Sequence, residues 1–230
     1  NEADNLEARK LYEQAVELDP DYARAYSGLA WTYLMEKFEN WGDAPDEALE
    51  KAQEFAAKAV SVNPASHSAW LIQGNVQRES GDIKQSVISM NRATELNPND
   101  VDSYIFLANV KLGQGEIAES LQLIERAREL STRTTNWHKA VYGSALYADK
   151  RYEEALEVLK AVDGLPFAQR LLAMTYAEAG QTQKAESAAK LFLERYPDFS
   201  IARHMESKML RREEDRTHYV QGLEKAGFPA

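Results

Sequence analysis

Apolar residues recur along this chain in steps of three and four, in short runs separated by polar turns. Leu11, Ala15 and Leu18 form one stripe, and after Pro20 the residues Tyr22, Tyr26, Leu29, Ala30 and Tyr33 form the next. That period puts each set on one face of a helix and predicts an amphipathic helix on either side of the proline. Proline lacks an N–H and its ring clashes with the preceding turn, so "DPDY" closes one helix and opens another.

The stripes themselves repeat. Ala59, Ala93 and Ala127 stand 34 residues apart, in "KAVSVNP", "RATELNP" and "RARELST". A second small position runs through Ala30, Gly74, Ala108, Gly143 and Ala173, with last steps of 34, 35 and 30. Turn signals fall between them at Gly81-Asp82, Gly115-Glu116, Lys150-Arg151 and Gly180-Gln181. A glycine there supplies a left-handed helix stop, and Asp82 with Gln85 has the form of a capping box. Each unit therefore reads as helix, tight turn, helix, then an Asx-Pro stop. One such pair cannot bury its apolar face alone, so pairs must stack.

This pattern resembles the tetratricopeptide repeat (TPR). Trp70, Gly74, Ala93 and Pro98 carry it in one unit, and Tyr104, Leu107, Ala108 and Ala127 in the next. Tyr152 and Ala155 open a further second helix, and Leu172, Ala173, Tyr176, Ala185 and Pro197 mark another unit. The departures are Thr132 in place of a terminal proline, Ser86 and Ser120 in place of alanine, and a short unit from Asn136. The resemblance implies an all-α fold: a right-handed TPR superhelix, or α-α solenoid, of about five helix pairs. Residues 1–22 are then the second helix of a truncated repeat whose first helix lies upstream. Residues 23–199 are the array, with an insertion at about 36–48, and residues 200–230 are C-terminal capping helices.

The insertion contains "NWGD", and the chain ends "HYVQGLEKAGFPA". Together with "DPDYARAYSGLAWTYL", these segments resemble the C-terminal TPR regions of bacterial multidomain regulators built on an adenylate/guanylate cyclase or winged-helix domain. That resemblance implies a signalling protein whose catalytic or DNA-binding domain lies upstream. Phe38 and Trp41, in the insertion, either fold back over their own helix pair or form a lip for a partner.

Charge narrows the functions. The formal net charge is −10, which disfavours nucleic acid and anionic membrane as partners of this region. No apolar run is long enough to span a bilayer, and no signal peptide opens the chain, so a cytoplasmic location is expected. There is no cysteine, hence no disulfide and no zinc–thiolate site. His67, His138, His204 and His218 lie in no HExxH arrangement, and "GQGE" lacks the strand and spacing of a phosphate loop. No metal, no cofactor and no catalytic residue is expected, so the chain reads as a binding module rather than an enzyme.

The inner face of such an array is lined by the first helix of each unit, at its second, fifth, ninth and twelfth positions. In the first three units this count selects Trp31, then Leu71, Asn75 and Arg78, then Ile105 and Asn109. In the last two it selects Trp137 and Tyr147, then Phe167, Arg170 and Met174. Asn75 and Asn109 share a register, and two amides in a row can read an extended peptide backbone. The aromatics offer pockets and the arginines can pair with a carboxylate. Alternatively, the asparagines tie neighbouring helices, Trp31 is core, and Arg78 pairs with a neighbour such as Glu79. A chaperone-tail clamp is disfavoured, because the fifth positions hold Leu71 and Ile105 where that clamp has a basic residue. The expected partner is a protein or peptide in the concave groove. The alternatives are a small molecule in a closed pocket near Tyr147 and Met174, or a homo-oligomer stacked through the N-terminal half-repeat.

Overall fold

The computed structural model describes residues 1–41, 44–162, 165–206 and 210–230. Among them there are thirteen α-helices and no strand, the all-α helix-pair solenoid class that the repeat implies. The chain divides into two compact units, Asn1–Val110 and Lys111–Ala230. Gly42 and Asp43 of the expected insertion, and residues 207–209 of the expected C-terminal helix, lie outside the described residues.

The first unit holds α1 (Glu2–Leu18), α2 (Ala23–Glu39), α3 (Pro45–Val62), α4 (His67–Glu79), α5 (Ile83–Leu96) and most of α6 (Val101–Gly113). Its stops repeat atom for atom. Asp19, Asn63 and Asn97 leave the helix in nearly one conformation (φ −141°, −140° and −138°). Each donates its N–H to the carbonyl of the marker alanine: Ala15, Ala59 or Ala93. Each side-chain oxygen accepts an N–H two residues on, at 3.0–3.2 Å. An Asx side chain thus replaces the helical bond that the following proline cannot continue. Trp70 and Tyr104 reach back to the carbonyls of Pro64 and Pro98, at 2.8 and 3.3 Å, and pin the next helix to the stop.

Small residues sit where paired helices meet. Ala30, Ala59 and Ala93 are wholly buried. A Cβ on Gly74 would lie 2.6 Å from the Met90 side chain across the α4–α5 contact. Around these contacts Leu29, Leu34, Ile72, Val76 and Met90 form the core. α1 adds a polar clamp on α2. Arg9 pairs with Glu36 at 2.6 Å and lies 3.7 Å over the Tyr33 ring, while Asn5 and Arg9 both donate to the Thr32 carbonyl.

Ala30 and Gly74 stand 44 residues apart, about ten more than the repeat, and the extra residues around 36–48 lengthen both helices. α2 and α3 have 17 and 18 residues, where α4 and α5 have 13 and 14. Each gains about one turn. Asn40, at φ +53°, reverses the chain, and Trp41 donates its N–H back to Glu36.

The second unit holds α7 (Ile117–Leu130), α8 (Asn136–Ala148), α9 (Tyr152–Leu159), α10 (Pro166–Glu178), α11 (Thr182–Arg195), α12 (Ile201–Glu206) and α13 (Glu213–Lys225). α9 has only 8 residues, which accounts for the short unit. The matched turn positions Gly81, Gly115, Lys150 and Gly180 all adopt positive φ, between 61° and 82°. Three are glycine, which tolerates it; Lys150 is not. The core gathers Leu146, Leu156, Leu159, Met174, Phe192 and Leu223. Phe228 folds back into an aromatic group with Phe192 and Phe199, held by an Ile201 N–H to Pro229 carbonyl bond of 2.8 Å.

Candidate binding faces

In the first unit, three of the expected inner-face residues come together. Trp31, Leu71 and Asn75 line one pocket of about 190 Å³, with Arg24, Ser27, Ser68 and Tyr12 around them. Ala30 and Gly74 face the paired helices α3 and α5, and the next residues, Trp31 and Asn75, stand about 100° further round, on the pocket. Trp31 is 38% exposed and meets Phe106 edge-on at 5.9 Å. Asn75 is only 1% exposed. Its Nδ2 donates to the Leu71 carbonyl one turn back at 3.0 Å, and its Oδ1 has no partner among the described residues. It is therefore not a tie between helices. Tyr12 packs its ring on Gly28, so the wall it builds depends on α1.

Other expected positions do not line this pocket. Ile105 is 2% exposed and belongs to the core, because its side of α6 faces inward. Arg78 is paired with Glu79 at 2.7 Å and lies over Phe38 at 5.6 Å, which removes it as a free cation. Burial pushes the Glu79 carboxyl up from its ordinary value, partly offset by that guanidinium. Asn109 is half-buried.

In the second unit the expected inner face is covered by the chain's own α13. The His218 ring stacks on Tyr147 at 4.8 Å, nearly parallel, and shares a 2.9 Å hydrogen bond with Tyr152. Gly222 seats against the Tyr147 phenol and Met174. Lys225 pairs with Glu178 at 2.8 Å. Tyr147 and Met174 are therefore core residues rather than open lining, and burial raises the Tyr147 phenol above its ordinary value. Trp137 and Phe167 meet edge-on at 5.6 Å. Arg170 is buried, over the rings of Phe192 and Phe199 at 5.6 and 5.5 Å. Beneath α13 a space of about 70 Å³ remains beside Tyr147, well below the volume that a drug-sized ligand needs, and Met174 does not line it.

Counting positions along first helices missed two contributors: Tyr12, and the whole of α13. The signal for α13 was present. Tyr219, Gly222, Leu223 and Ala226 follow helical spacing, and a mid-helix glycine marks a close approach.

Three stretches match family models. Residues 4–36 match a model described as TPR repeat, and residues 67–100 and 167–198 match models described as tetratricopeptide repeat. These stretches are tetratricopeptide repeats. Solved TPR structures share the fold. The chain is 17% identical to PilF of Pseudomonas aeruginosa over 86% of either chain, with a TM-score of 0.62. It is 15% identical to a chain of the APC/C hetero-tetramer Cut9-Hcn1, TM-score 0.65, covering 82% of this chain and 36% of that one. YrrB, described as a TPR protein with an unusual peptide-binding site, is 23% identical over 86% of this chain and 99% of its own, TM-score 0.52. A comparison with curated proteins found no match. The matches concern the repeats; none supports the resemblance to cyclase or winged-helix regulators. Among the described residues no group of three His, Cys, Asp or Glu could hold a metal, and no helix is long and apolar enough to cross a membrane.

Proposed function

We propose that this TPR array is a protein-interaction module, and that the α2–α4 face of its first unit takes an extended segment of a partner protein. The observation that carries the reading is the pocket in which Trp31, Leu71 and Asn75 converge. An exposed tryptophan at a pocket wall is a typical anchor for a partner side chain. Asn75 lines the same pocket, and its Oδ1 is an acceptor without a partner among the described residues. The likeness to YrrB adds a TPR precedent for peptide binding. The wider setting in this reading is a larger signalling protein.

Selection of peptides from a random library on the whole chain tests it. Selected peptides should lose about 10- to 100-fold in affinity on Trp31→Ala. They should lose about 2- to 12-fold on Asn75→Ala, as one hydrogen bond disappears. Unchanged affinity in both variants, with unchanged melting, would end the assignment.

A second reading, self-association through α1, is favoured by Leu11 and Leu18, which are 60% and 87% exposed on one side of that helix. Light scattering on the wild type and on Leu11→Glu/Leu18→Glu checks it. A monomeric wild type removes this reading.

A further inference from the structure

On the second unit, away from α13's contacts with Tyr147, a pocket of about 500 Å³ opens between the start of α10, the end of α11 and the start of α12. Three arginines line it: Arg170, Arg195 and Arg203. In a chain of net charge −10, three cations at one pocket stand against the general balance. None of the three forms an ion pair with a carboxylate among the described residues. Arg203 spends one bond on the Asp198 carbonyl at 3.1 Å, and Arg195 lies 5.8 Å over the Tyr196 ring. Asp198, an exposed residue, also lines the pocket.

Arg170 is the unusual member. It is 8% exposed, and its Nε donates to the Tyr219 hydroxyl at 3.5 Å. The faces of Phe192 and Phe199 stabilise the cation, but they accept none of its in-plane N–H groups. A guanidinium has five donors, and a buried charge without a counter-charge is costly. Its terminal nitrogens make no hydrogen bond to another described residue and are not sealed from the pocket, so they are available to a ligand there. The walls supply the rest: Phe192, Tyr196 and Phe199 give flat apolar surface, and the volume exceeds what a bare inorganic ion fills.

We infer that this pocket binds a small organic anion, a phosphate monoester on an aromatic body, with Arg170 at its base and Arg195 and Arg203 at its rim. Phosphate suits three guanidiniums better than a single carboxylate does, because it offers three oxygens and close to two charges. An aromatic body fits the ring-lined wall.

Calorimetric titration of the full chain with phenyl phosphate, inorganic phosphate and benzoate decides it. Phenyl phosphate should bind at least about 10-fold tighter than either fragment probe, and more weakly as salt rises. Arg195→Gln/Arg203→Gln, both at exposed positions, should weaken it by about 10-fold or more with the melting temperature unchanged. Arg170→Lys keeps the charge but loses the fork and should also weaken it. The proposal is overturned if phenyl phosphate shows no binding at millimolar concentration, if the three probes bind equally, or if the rim double variant binds as the wild type does.

Discussion

Ser86 Oγ donates a 2.7 Å hydrogen bond to the Gly74 carbonyl, fully buried, at the α4–α5 contact. The serine occupies a position where the repeat has alanine, and it converts a bare close approach into a bonded one. Two changes separate the steric and polar parts. Gly74→Leu drives a side chain into Met90 and should cost about 1–3 kcal/mol. Ser86→Ala removes one buried bond and should cost about 0.5–1.5 kcal/mol. Urea midpoints with an unchanged slope would measure both, and a neutral Gly74→Leu would show that the helices are not in this register.

Lys150 holds φ +61° at the turn where Gly81, Gly115 and Gly180 do the same in their units. A side chain in that conformation is strained by about 1–2 kcal/mol, while glycine is not. Glycine also raises the entropy of the unfolded chain, which takes back part of the gain. Lys150→Gly should stabilise the protein by about 0.5–1 kcal/mol, and Gly180→Ala should destabilise it by a similar amount. Opposite signs at matched positions are the point of the measurement.

The repeat was legible because its causes are local. Proline stops, Asx turns and left-handed glycines act over a few residues, and all recur where spacing placed them. The helix lengths around residues 36–48 were less legible, since extra residues can extend a helix as easily as a loop, and the apolar period does not say where the helix ends. The binding face was legible only where nothing else packs on it. Trp31, Leu71 and Asn75 share a pocket, while Tyr147 and Met174 are covered by α13, which begins 39 residues after Met174. Arg78 illustrates a third cause. Its neighbour Glu79 takes the charge that the position count assigned to a ligand.

His218 links acid stability to α13. Burial holds its imidazole below the ordinary value of about 6.5, opposed by Glu178 and Asp215 and reinforced by Lys150 and Lys225. Among the described residues the rings of Tyr147 and Tyr152 also lie against it. As pH falls through about 6.5 the unfolded chain takes up the proton first, so the folded state loses stability until pH passes the lower folded value. The urea midpoint should therefore drop between pH 7.5 and 5.5, and His218→Gln should flatten part of that slope. An identical slope in the variant would show that His218 is solvated rather than stacked on Tyr147.

Gly222 offers the sharpest test of how α13 lies, because two effects pull in opposite directions. Alanine is the better helix former by about 0.8–1 kcal/mol, so Gly222→Ala would stabilise a helix whose glycine faced open space. Here the new methyl meets the Tyr147 hydroxyl directly and sits 3.2 Å from the Met174 methyl. Overpacking of about 1–3 kcal/mol should outweigh the propensity gain, and the variant should melt lower. The Tyr147 hydroxyl is itself buried without a hydrogen-bond partner among the described residues. Tyr147→Phe alone should therefore be neutral or stabilising, by up to about 1–3 kcal/mol. It also removes the atom that Gly222→Ala strikes, so the double variant should recover most of the loss, with a coupling of about 0.5–3 kcal/mol. A stabilising Gly222→Ala, or strict additivity of the two changes, would mean that α13 does not cover the second unit's inner face, and Tyr147 and Met174 would again be open lining.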